Sequence, residues 1–480
     1  MEKFLEKTTI LAEEVDFQGY QADELGRVFI YQNMIFRGIY PHKVADTRAL
    51  FDSGLIQELV KQGLFPRTYI TEHEMEGFGL IIGHERISPV IYPSGWSFDM
   101  LKDAALLILR INMIAGKYGY QTIDGHGYNI LFKHGKPVFI DLGSFIQNTE
   151  NPKGWIAYEV FLKSMYAPLR IMASGNLFMG RALLLLGTRL LPHYSYYQYI
   201  SPLYRLVNPF WLENYLTTYH KLKAFTHYSE GEIQQRAPKK LKRLLLWLKK
   251  NKLNPFDRVN LKKWEKRILQ LKPKMQGTQW GDYHEQFLNE DGSLKSTPRF
   301  DKIADLVRER NIPRVLEVGA NQGLFSEILL DRAGVQEIIA TDYDEKAVNK
   351  MYLRLRETQK AISPAVLDIV STIWGNYGRE VSLRYRREAV IALALTHHVT
   401  ITQKVPFEKF IRDLADFTSS YLFIEYMPLG LYSGDESKTP PLPDWYTEEN
   451  FVDAMSKYFD IEHREQLEIN RILFIGKKKA

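Results

Sequence analysis

The chain contains no cysteine, and this absence removes several functional classes at once. Disulfide frameworks, Cys-ligated zinc, iron–sulfur clusters and thiol nucleophiles all require that residue. Long apolar runs are also missing, since no stretch approaches the roughly 18 consecutive apolar residues of a membrane-spanning helix. The N-terminus is acidic where a secretory signal would be basic, and no apolar stretch follows it. We therefore expect a cytoplasmic protein without a transmembrane segment.

Positive charge is concentrated in one segment of the chain. The stretch from Arg236 to Lys274 contains fifteen Lys and Arg but two acids, a formal charge of +13 against +6 for the whole chain. One helical face of this segment is apolar and lysines lie opposite, with leucines at positions 241, 244, 245 and 248. Such a segment could bind lipid headgroups, RNA or an acidic surface of its own protein, although solvation is the commonest role of a charged face.

The stretch from Arg314 to Asp344 has the pattern of a strand, a glycine turn, a helix and a second strand. The run from Val315 to Val318 is typical of a parallel strand that helices cover on both faces. Gly319 and Gly323 bracket the turn, and Asp342 ends the second strand. Such a unit lets the backbone approach a ligand closely and places an acid where it can hold ribose hydroxyls.

The glycine spacing distinguishes between cofactors. A dinucleotide fold needs G-x-G-x-x-G, so that a pyrophosphate can sit at the helix N-terminus. Here the order is Glu317-x-Gly319-x-x-x-Gly323, with Asn321 where the middle glycine would stand. An acid on the strand would repel a pyrophosphate but suits the ammonium of a methionine moiety. The pattern predicts S-adenosylmethionine (SAM) and resembles the first motif of class I methyltransferases; a nucleotide-free α/β turn is the alternative.

The remaining C-terminal residues continue this alternation of strands and helices. Helices are predicted over residues 345–360 and 448–458, strands over 365–368, 388–395 and 421–425, and a final hairpin over 459–464 and 471–476. Seven strands ending in a hairpin is the class I methyltransferase order, a Rossmann-like α/β sheet. Ligands of such sheets bind beyond the carboxyl ends of the strands. The candidate cofactor-binding residues at these ends and their loops are Glu317, Gly319, Asn321, Gly323, Asp342, Tyr343 and Asp368.

Two aromatic residues just upstream of this domain complete the predicted cofactor site. Trp280 and Tyr283 flank a glycine in Gln279-Trp-Gly-Asp-Tyr. We expect this segment to fold over the cofactor as a flap, although a packed linker would have the same sequence character.

Two histidines follow the fourth predicted strand, where methyltransferases place the group that faces the acceptor. His397 and His398 stand there, and Glu425 ends the fifth strand. The absence of an Asn/Asp-Pro-Pro-Tyr/Phe motif argues against amino groups of nucleobases. A neutral histidine with a pKa near ambient pH could accept a proton from a hydroxyl during methyl transfer, although the pair could equally cap a strand end. These three residues are the candidate catalytic groups.

The N-terminal half predicts a kinase-like α+β domain with a helical extension. Asp124, Asn129 and Asp141 have the spacing at which phosphotransferases place a catalytic Asp, a metal-ligating Asn and the Asp of a D-F-G-like triplet. A glycine-rich phosphate loop is missing, and Arg37 stands nearest to the position of the phosphate-binding lysine, which it replaces poorly. We therefore expect a degenerate domain with at most a remnant Mg²⁺ site at Asn129 and Asp141; alternatively, Asp124 and Asp141 merely cap turns.

The whole chain resembles a bacterial family of two-part class I SAM-dependent methyltransferases, some of whose members are described as nodulation proteins. The matching stretches begin at Ser97 (SFDMLKDAALL), Tyr128 (YNILF), Pro137 (PVFIDLGSF), Gln279 (QWGDY), Val315 (VLEVGANQG), Ala392 (ALALTHH) and Ile424 (IEYMP). The family typically has Lys-Asp-Ala before the Asn motif, where this chain has Ile-Asp-Gly-His-Gly. The resemblance implies SAM binding and leaves the acceptor unassigned.

These features divide the chain into a degenerate kinase-like domain (1–235), a basic helical linker (236–278) and a methyltransferase domain (279–480). The leading hypothesis is SAM-dependent O-methylation of a glycan, lipid-linked or small-molecule acceptor that the N-terminal domain recruits. Two alternatives stay open. One is a bifunctional kinase and methyltransferase, and the other is a non-enzymatic SAM-binding scaffold whose basic linker binds RNA or membrane.

Overall fold

The structure is a computed structural model that describes a defined part of the 480 residues. The described residues are 8–18, 23–148, 155–185, 230–236, 242–243, 246–247, 259–274, 296–370, 378–432, 434, 437 and 439–479. The expected flap residues Trp280 and Tyr283, and part of the basic segment, lie outside the described residues. None of the helices in these ranges combines the length and hydrophobicity that a bilayer crossing requires.

The N-terminal half begins with an antiparallel sheet in the order β1-β2-β3-β5-β4. Its strands are β1 (Asp16–Gln18), β2 (Gly26–Tyr31), β3 (Met34–Ile39), β4 (Thr68–Ile70) and β5 (Leu80–His84). Between β3 and β4 the chain forms α1 (Val44–Asp52) and α2 (Leu55–Lys61). Gly54, with a φ of 82°, divides them, because this left-handed conformation interrupts an α-helix and favours glycine.

A central helix, α3 (Phe98–Ala115), follows this sheet and is buried around most of its circumference, as its apolar sequence predicts. Two short antiparallel pairs come next, and each brings one predicted acid into a loop. Strand β6 (Tyr120–Thr122) pairs with β9 (Phe145–Gln147), and β7 (Ile130–Lys133) pairs with β8 (Lys136–Phe139). Asp124 lies between β6 and β7, and Asp141 lies after β8.

Further helices complete the described part of the N-terminal half. They are α4 (Tyr158–Phe161), α5 (Ala167–Ala173), α6 (Leu177–Leu185), α7 (Glu230–Arg236) and α8 (Leu261–Leu269), with a π-helical stretch, Leu162–Tyr166, between α4 and α5. Helix α8 belongs to the basic segment, and it buries Trp264 while leaving Lys262 exposed. The Trp264 ring lies edge-on to Tyr158 at 5.7 Å and to Tyr166 at 4.8 Å between centroids. The N-terminal half therefore covers the apolar face of this basic helix.

The C-terminal half is a seven-stranded sheet in the order β12-β11-β10-β13-β14-β16-β15. The first five strands in this order are parallel, and β16 runs antiparallel to both of its neighbours. The strands are β10 (Arg314–Val318), β11 (Glu337–Asp342), β12 (Ile362–Val366), β13 (Arg387–Ala392), β14 (Thr418–Tyr426), β15 (Phe459–Glu468) and β16 (Arg471–Lys478). The predicted α/β sheet with a closing hairpin is confirmed.

Helices cover both faces of this sheet, as the continuous apolar runs of its central strands require. They are α9 (Pro298–Glu309), α10 (Leu324–Arg332), α11 (Glu345–Thr358), α12 (Gly378–Tyr385), α13 (Phe407–Asp416) and α14 (Glu448–Ser456). Leu316, Ile339 and Val390, at the centre of the sheet, are fully buried. The parallel strands consequently direct their carboxyl ends to one common edge, which carries the candidate site.

Replacing Trp264 by alanine tests whether α8 is an integral part of the N-terminal half. Removing this buried ring leaves a cavity beside Tyr158 and Tyr166, and such changes cost about 3–5 kcal/mol of unfolding free energy. We expect Trp264→Ala to lower the midpoint of thermal unfolding by several degrees, as followed by circular dichroism. Lys262→Ala, on the exposed face of the same helix, is the control and should leave the midpoint unchanged. Equal midpoints for both variants would contradict this packing.

Candidate cofactor and active site

The turn after β10 is built from residues with left-handed backbone conformations. The φ angles are 74° at Gly319, 50° at Asn321 and 72° at Gly323. A Cβ on Gly319 would meet its nearest neighbour, Leu395, at 3.4 Å, an ordinary van der Waals contact, so packing would tolerate a methyl group there. A Cβ on Gly323 would lie 2.7 Å from the Met351 sulfur, so packing requires glycine there. Backbone conformation alone requires glycine at position 319.

Glu317, next to last on β10, carries a buried carboxyl group beside this turn. Its side chain accepts a hydrogen bond from the Ser326 hydroxyl of α10. The pKa of Glu317 is raised to about 7. Burial is the main cause and the charge of Asp342 adds to it, while the hydrogen bond from Ser326 opposes both effects. This carboxyl therefore changes protonation near neutral pH.

Asp342, the last residue of β11, ties the turn to the start of α11. Its Oδ2 accepts from the Asn321 backbone N–H at 2.8 Å, and its Oδ1 accepts from the Asp344 N–H at 2.8 Å. Burial raises the pKa of Asp342 to about 6 against these two hydrogen bonds. Asp344 in turn caps α11 by accepting from the Lys346 N–H at 2.8 Å. The structure thus brings Glu317, Asp342 and the glycine turn together, as predicted.

Tyr343 and Asp368 lie at the rim of this edge. The Tyr343 side chain, between Asp342 and Asp344, is 56% exposed. Strand β12 ends at Val366, so Asp368 stands two residues beyond the strand that was predicted to carry it. The loop is nevertheless tied to the site, because the Leu367 N–H donates to the Asp342 carbonyl at 2.9 Å.

The two histidines lie beyond the fourth parallel strand, not at its end. Strand β13 stops at Ala392, and Ala394, with a φ of 53°, turns the chain toward His397 and His398. The ring centroids of the two histidines are 3.9 Å apart. Burial lowers the pKa of His397 to about 3, with further lowering by His398 and Arg471. The expectation of a pKa near ambient pH is therefore wrong for His397, which is neutral at pH 7 but weakly basic.

Glu425 occupies a different environment from the catalytic group that the sequence suggested. Its side chain is fully buried, and Arg299 and Arg471 contact the carboxylate at 3.3 Å and 3.2 Å. The Ala394 N–H donates to Glu425 Oε2 at 2.8 Å, and the Thr396 hydroxyl donates to the Glu425 carbonyl at 2.5 Å. These contacts anchor the histidine turn, and two guanidinium groups within the protein already pair with this carboxylate. A catalytic role for Glu425 stays a prediction.

Arg299 and Arg471 are the residues that sequence reasoning missed. They come from α9 and β16, about 170 residues apart in a chain whose arginines are numerous. No spacing or motif in the sequence marks either of them. Their pairing with Glu425 depends on the closure of the sheet by β16.

The predicted metal remnant of the N-terminal half has its own internal partners. Asp141 accepts from the Asn129 side-chain amide at 3.0 Å and from the Gly143 N–H at 3.0 Å. The Arg37 guanidinium pairs with Asp23 and lies 3.9 Å from Asp141. Burial raises the pKa of Asp141, while Arg37 acts in the opposite direction. Across the described ranges, no three His, Asp or Glu side chains converge as metal ligands would.

A cleft of about 600 Å³ opens beside the segment that follows His398. It lies between the start of α13, the body of α14 and the loop before Trp445. Its lining combines aromatic and apolar groups with charged residues at the rim: Ile401, Lys404, Val405, Pro406, Phe407, Glu408, Pro443, Trp445, Asn450, Asp453, Ala454 and Lys457. The mixed lining suits a ligand with both apolar faces and hydroxyl groups.

The strand order of the C-terminal half, its antiparallel β16 and the glycine turn after its first strand define its fold. They are the features of the class I methyltransferase fold. No family model matches the chain. A search of curated proteins finds the nodulation protein NoeA of Rhizobium meliloti (strain 1021), which is 25% identical to this chain over 493 aligned residues. The alignment covers 95% of this chain and 93% of NoeA.

Solved structures resemble part of the chain. The PH0226 protein from Pyrococcus horikoshii OT3 is 14% identical and covers 42% of this chain and 100% of its own, with a TM-score of 0.33. The methyltransferase domain of bacterial CtHen1-C is 17% identical and covers 38% of this chain and 97% of its own, with a TM-score of 0.30.

Replacing Glu317 by glutamine tests the cost of burying this carboxyl. Because its folded pKa of about 7 lies above the ordinary value of 4.5, the folded state keeps a proton that the unfolded state loses in this range. Stability therefore falls as pH rises from about 4.5 to about 7, and the loss persists above that. We expect Glu317→Gln to be more stable than the wild type at pH 8, with an unfolding free energy larger by on the order of 2 kcal/mol and therefore a higher unfolding temperature. At pH 5 the two proteins should differ much less.

The matched control is Glu388→Gln. A hydrogen bond from Arg314 lowers the pKa of Glu388 although burial opposes it, so this variant should gain no stability at pH 8. Thermal unfolding at both pH values measures the two variants. A Glu317→Gln variant less stable than the wild type at pH 8 would contradict the assignment.

Proposed function

We propose that the protein is a SAM-dependent methyltransferase that acts on a hydroxyl oxygen. The observation that carries this proposal is the pair of buried carboxyls, Glu317 and Asp342, on either side of an open glycine turn at the carboxyl edge of the sheet. Both have raised pKa values, so the site favours a ligand that brings positive charge and hydrogen-bond donors. A sulfonium-bearing nucleoside with an ammonium group meets both conditions.

The residues present fit this cofactor at each of its parts. Glu317 would pair with the ammonium of the methionine moiety, and Asp342 would accept hydrogen bonds from ribose hydroxyls. The exposed ring of Tyr343 would cover the adenine, and Asp368 would accept from its exocyclic amine. Because Gly319 has no side chain, the ligand could approach the backbone of the turn closely. When bound, SAM supplies a methyl group on a positively charged sulfur.

The chain's own residues would then position the acceptor and receive its proton. Burial keeps His397 neutral, and within the described residues its Nδ1 has no hydrogen-bond partner. That nitrogen could accept a hydroxyl proton as an acceptor oxygen becomes methylated. Glu425 would act as a positioning residue, because its contacts with Ala394 and Thr396 fix the turn that carries His397. Positioning and exclusion of water would supply most of the acceleration.

The cleft beside His398 supports a glycan, lipid-linked or small-molecule acceptor. Trp445 is 43% exposed and lines the cleft, and the buried ring of Phe407 lies edge-on to it at 5.6 Å between centroids. An exposed aromatic face covers the apolar side of a sugar ring, and rim residues such as Asn450 can bond its hydroxyls. The missing Asn/Asp-Pro-Pro motif weighs against nucleobase amines as acceptors.

We assign the N-terminal half to a degenerate kinase-like domain that recruits the acceptor. The sheet order β1-β2-β3-β5-β4, the long α3 and the pairs β6–β9 and β7–β8 support the kinase-like arrangement. Arg37 lies beside Asp141 and Asp23, so protein cations and acids already satisfy one another where phosphotransfer would need metal. This arrangement disfavours the bifunctional alternative. The exposed lysines of α8 leave a basic surface available to an anionic partner.

Calorimetric titration with SAM tests the cofactor. We expect heat of binding for the wild type and none for Gly319→Arg, because a long side chain on the turn would block the close approach of the ligand to the backbone. Gly334→Arg is the matched control. Gly334 also has a positive φ, 71°, with open surroundings, but it lies in the loop before β11 at the opposite edge of the sheet. The proposal fails if the wild type gives no heat, or if both variants lose binding equally.

Replacing His397 tests the proposed proton acceptor. In a panel of sugar-bearing and lipid-linked hydroxyl compounds, we expect a methylated product detectable by mass spectrometry. His397→Ala should lower kcat for that product, but by less than the about 10²–10⁴-fold contribution of a general base whose pKa lies near the operating pH. The dissociation constant of SAM should stay within about twofold. An unchanged kcat would remove His397 from the reaction.

A further inference from the structure

One arginine of the N-terminal half reaches into the cofactor edge of the C-terminal half. Arg181 of α6 donates from Nε and Nη2 to Glu345 Oε2, at 3.1 Å and 2.8 Å. The same guanidinium donates to the Ser94 carbonyl at 3.0 Å and to the Trp96 carbonyl at 2.9 Å. The two ion-paired side chains are only 15% and 9% exposed. This is a buried, multiply bonded contact between the halves.

The Glu345 carboxylate, which accepts two of these hydrogen bonds, lies next to the turn that carries the proposed cofactor-binding residues. Glu345 is the first residue of α11 and follows the capping residue Asp344 directly. Asp342 and Tyr343, the residues proposed to hold the ribose and the adenine, come immediately before this cap. Any displacement of Glu345 therefore moves the turn that carries them. Arg181 also places positive charge beside a short segment that holds three acids.

The rest of α11 is fixed to the N-terminal half by a second group of contacts, farther from the site. The Tyr352 hydroxyl donates to Asp103 at 2.6 Å, and Arg356 donates to the same carboxylate at 2.8 Å. Near this end the backbones approach closely, since a Cβ on Gly135 would lie 2.9 Å from the Arg356 Cα. Arg356 stands eleven residues after Glu345, which corresponds to about 16 Å along a helix.

We infer that Arg181 is a positioning residue for the nucleoside end of the cofactor site, which rests on the proposed function. The N-terminal half then completes the SAM site through α6, in addition to any role in recruiting the acceptor. Arg181 acts through Glu345 and the α11 cap. The Asp103–Arg356 pair, at the far end of the same helix, holds the halves together without contact with the site.

This difference gives a matched comparison in the full-length protein. Arg181→Gln and Arg356→Gln each remove one Arg–carboxylate pair with a 2.8 Å contact between the halves. Both should lower the thermal midpoint. We expect only Arg181→Gln to weaken SAM binding, by about tenfold in the calorimetric dissociation constant, while Arg356→Gln stays within about twofold. Arg181→Lys should give an intermediate constant, because a lysine can pair with Glu345 but cannot reproduce the fork to both carbonyls.

The inference is overturned if Arg181→Gln binds SAM like the wild type, or if both glutamine variants weaken binding equally. If Arg181→Gln does not fold, Arg181→Lys decides, and a wild-type constant in that variant overturns the inference. Absence of binding in the wild type itself overturns the proposed cofactor, and this inference with it. If Arg181 had a purely structural role, its replacement would lower the thermal midpoint but would not selectively weaken SAM binding.

Discussion

The candidate site depends on carboxyl groups that are buried at the edge of a sheet, where charge is costly. Three of the buried acids there, Glu317, Asp342 and Glu425, are held in two different ways. Glu317 and Asp342 are held by a hydroxyl and by backbone N–H groups, and their pKa values rise to about 7 and about 6. Glu425, two strands away, is held by Arg299 and Arg471. The first arrangement suits a cationic ligand, because the ligand can supply the positive charge that pairs with these two carboxyl groups. The second arrangement is already neutralised, and it stabilises the turn that presents the histidines.

Helix α11 joins this edge to the other half of the molecule. Its inner face packs into the sheet core through Val348, Met351 and Leu355, and its outer face is bonded to α3 and α6. A helix that follows the second strand of such a sheet would otherwise face solvent. Here the interface runs along its whole length, and Arg181 secures the end nearest to the cofactor turn. The two halves therefore share one structural element, so a cofactor role for the N-terminal half requires no movement between them.

Local patterns predicted the parts of the site that lie close together in the sequence. The glycine turn, Glu317 and Asp342 fall within one βαβ unit, where spacing alone fixes their relation. Long-range partners left no such signal: the pairing of Arg299 and Arg471 with Glu425, and of Arg181 with Glu345, depends on tertiary closure. The histidine turn shows a third limit. Its residues were placed at a strand end because the apolar run continues to Leu395, yet β13 stops at Ala392 and burial lowers the pKa of His397 far below its ordinary value.

The central claim is that a cationic cofactor ionises the buried carboxyl of Glu317. Calorimetric titration of SAM at pH 6, in two buffers with different ionisation enthalpies, measures the protons exchanged on binding. At this pH the free Glu317 carboxyl, with a pKa of about 7, is mostly protonated, so binding should release up to about one proton per SAM. Glu317→Gln should release clearly fewer. Binding by the wild type without any proton release at pH 6 would contradict the account.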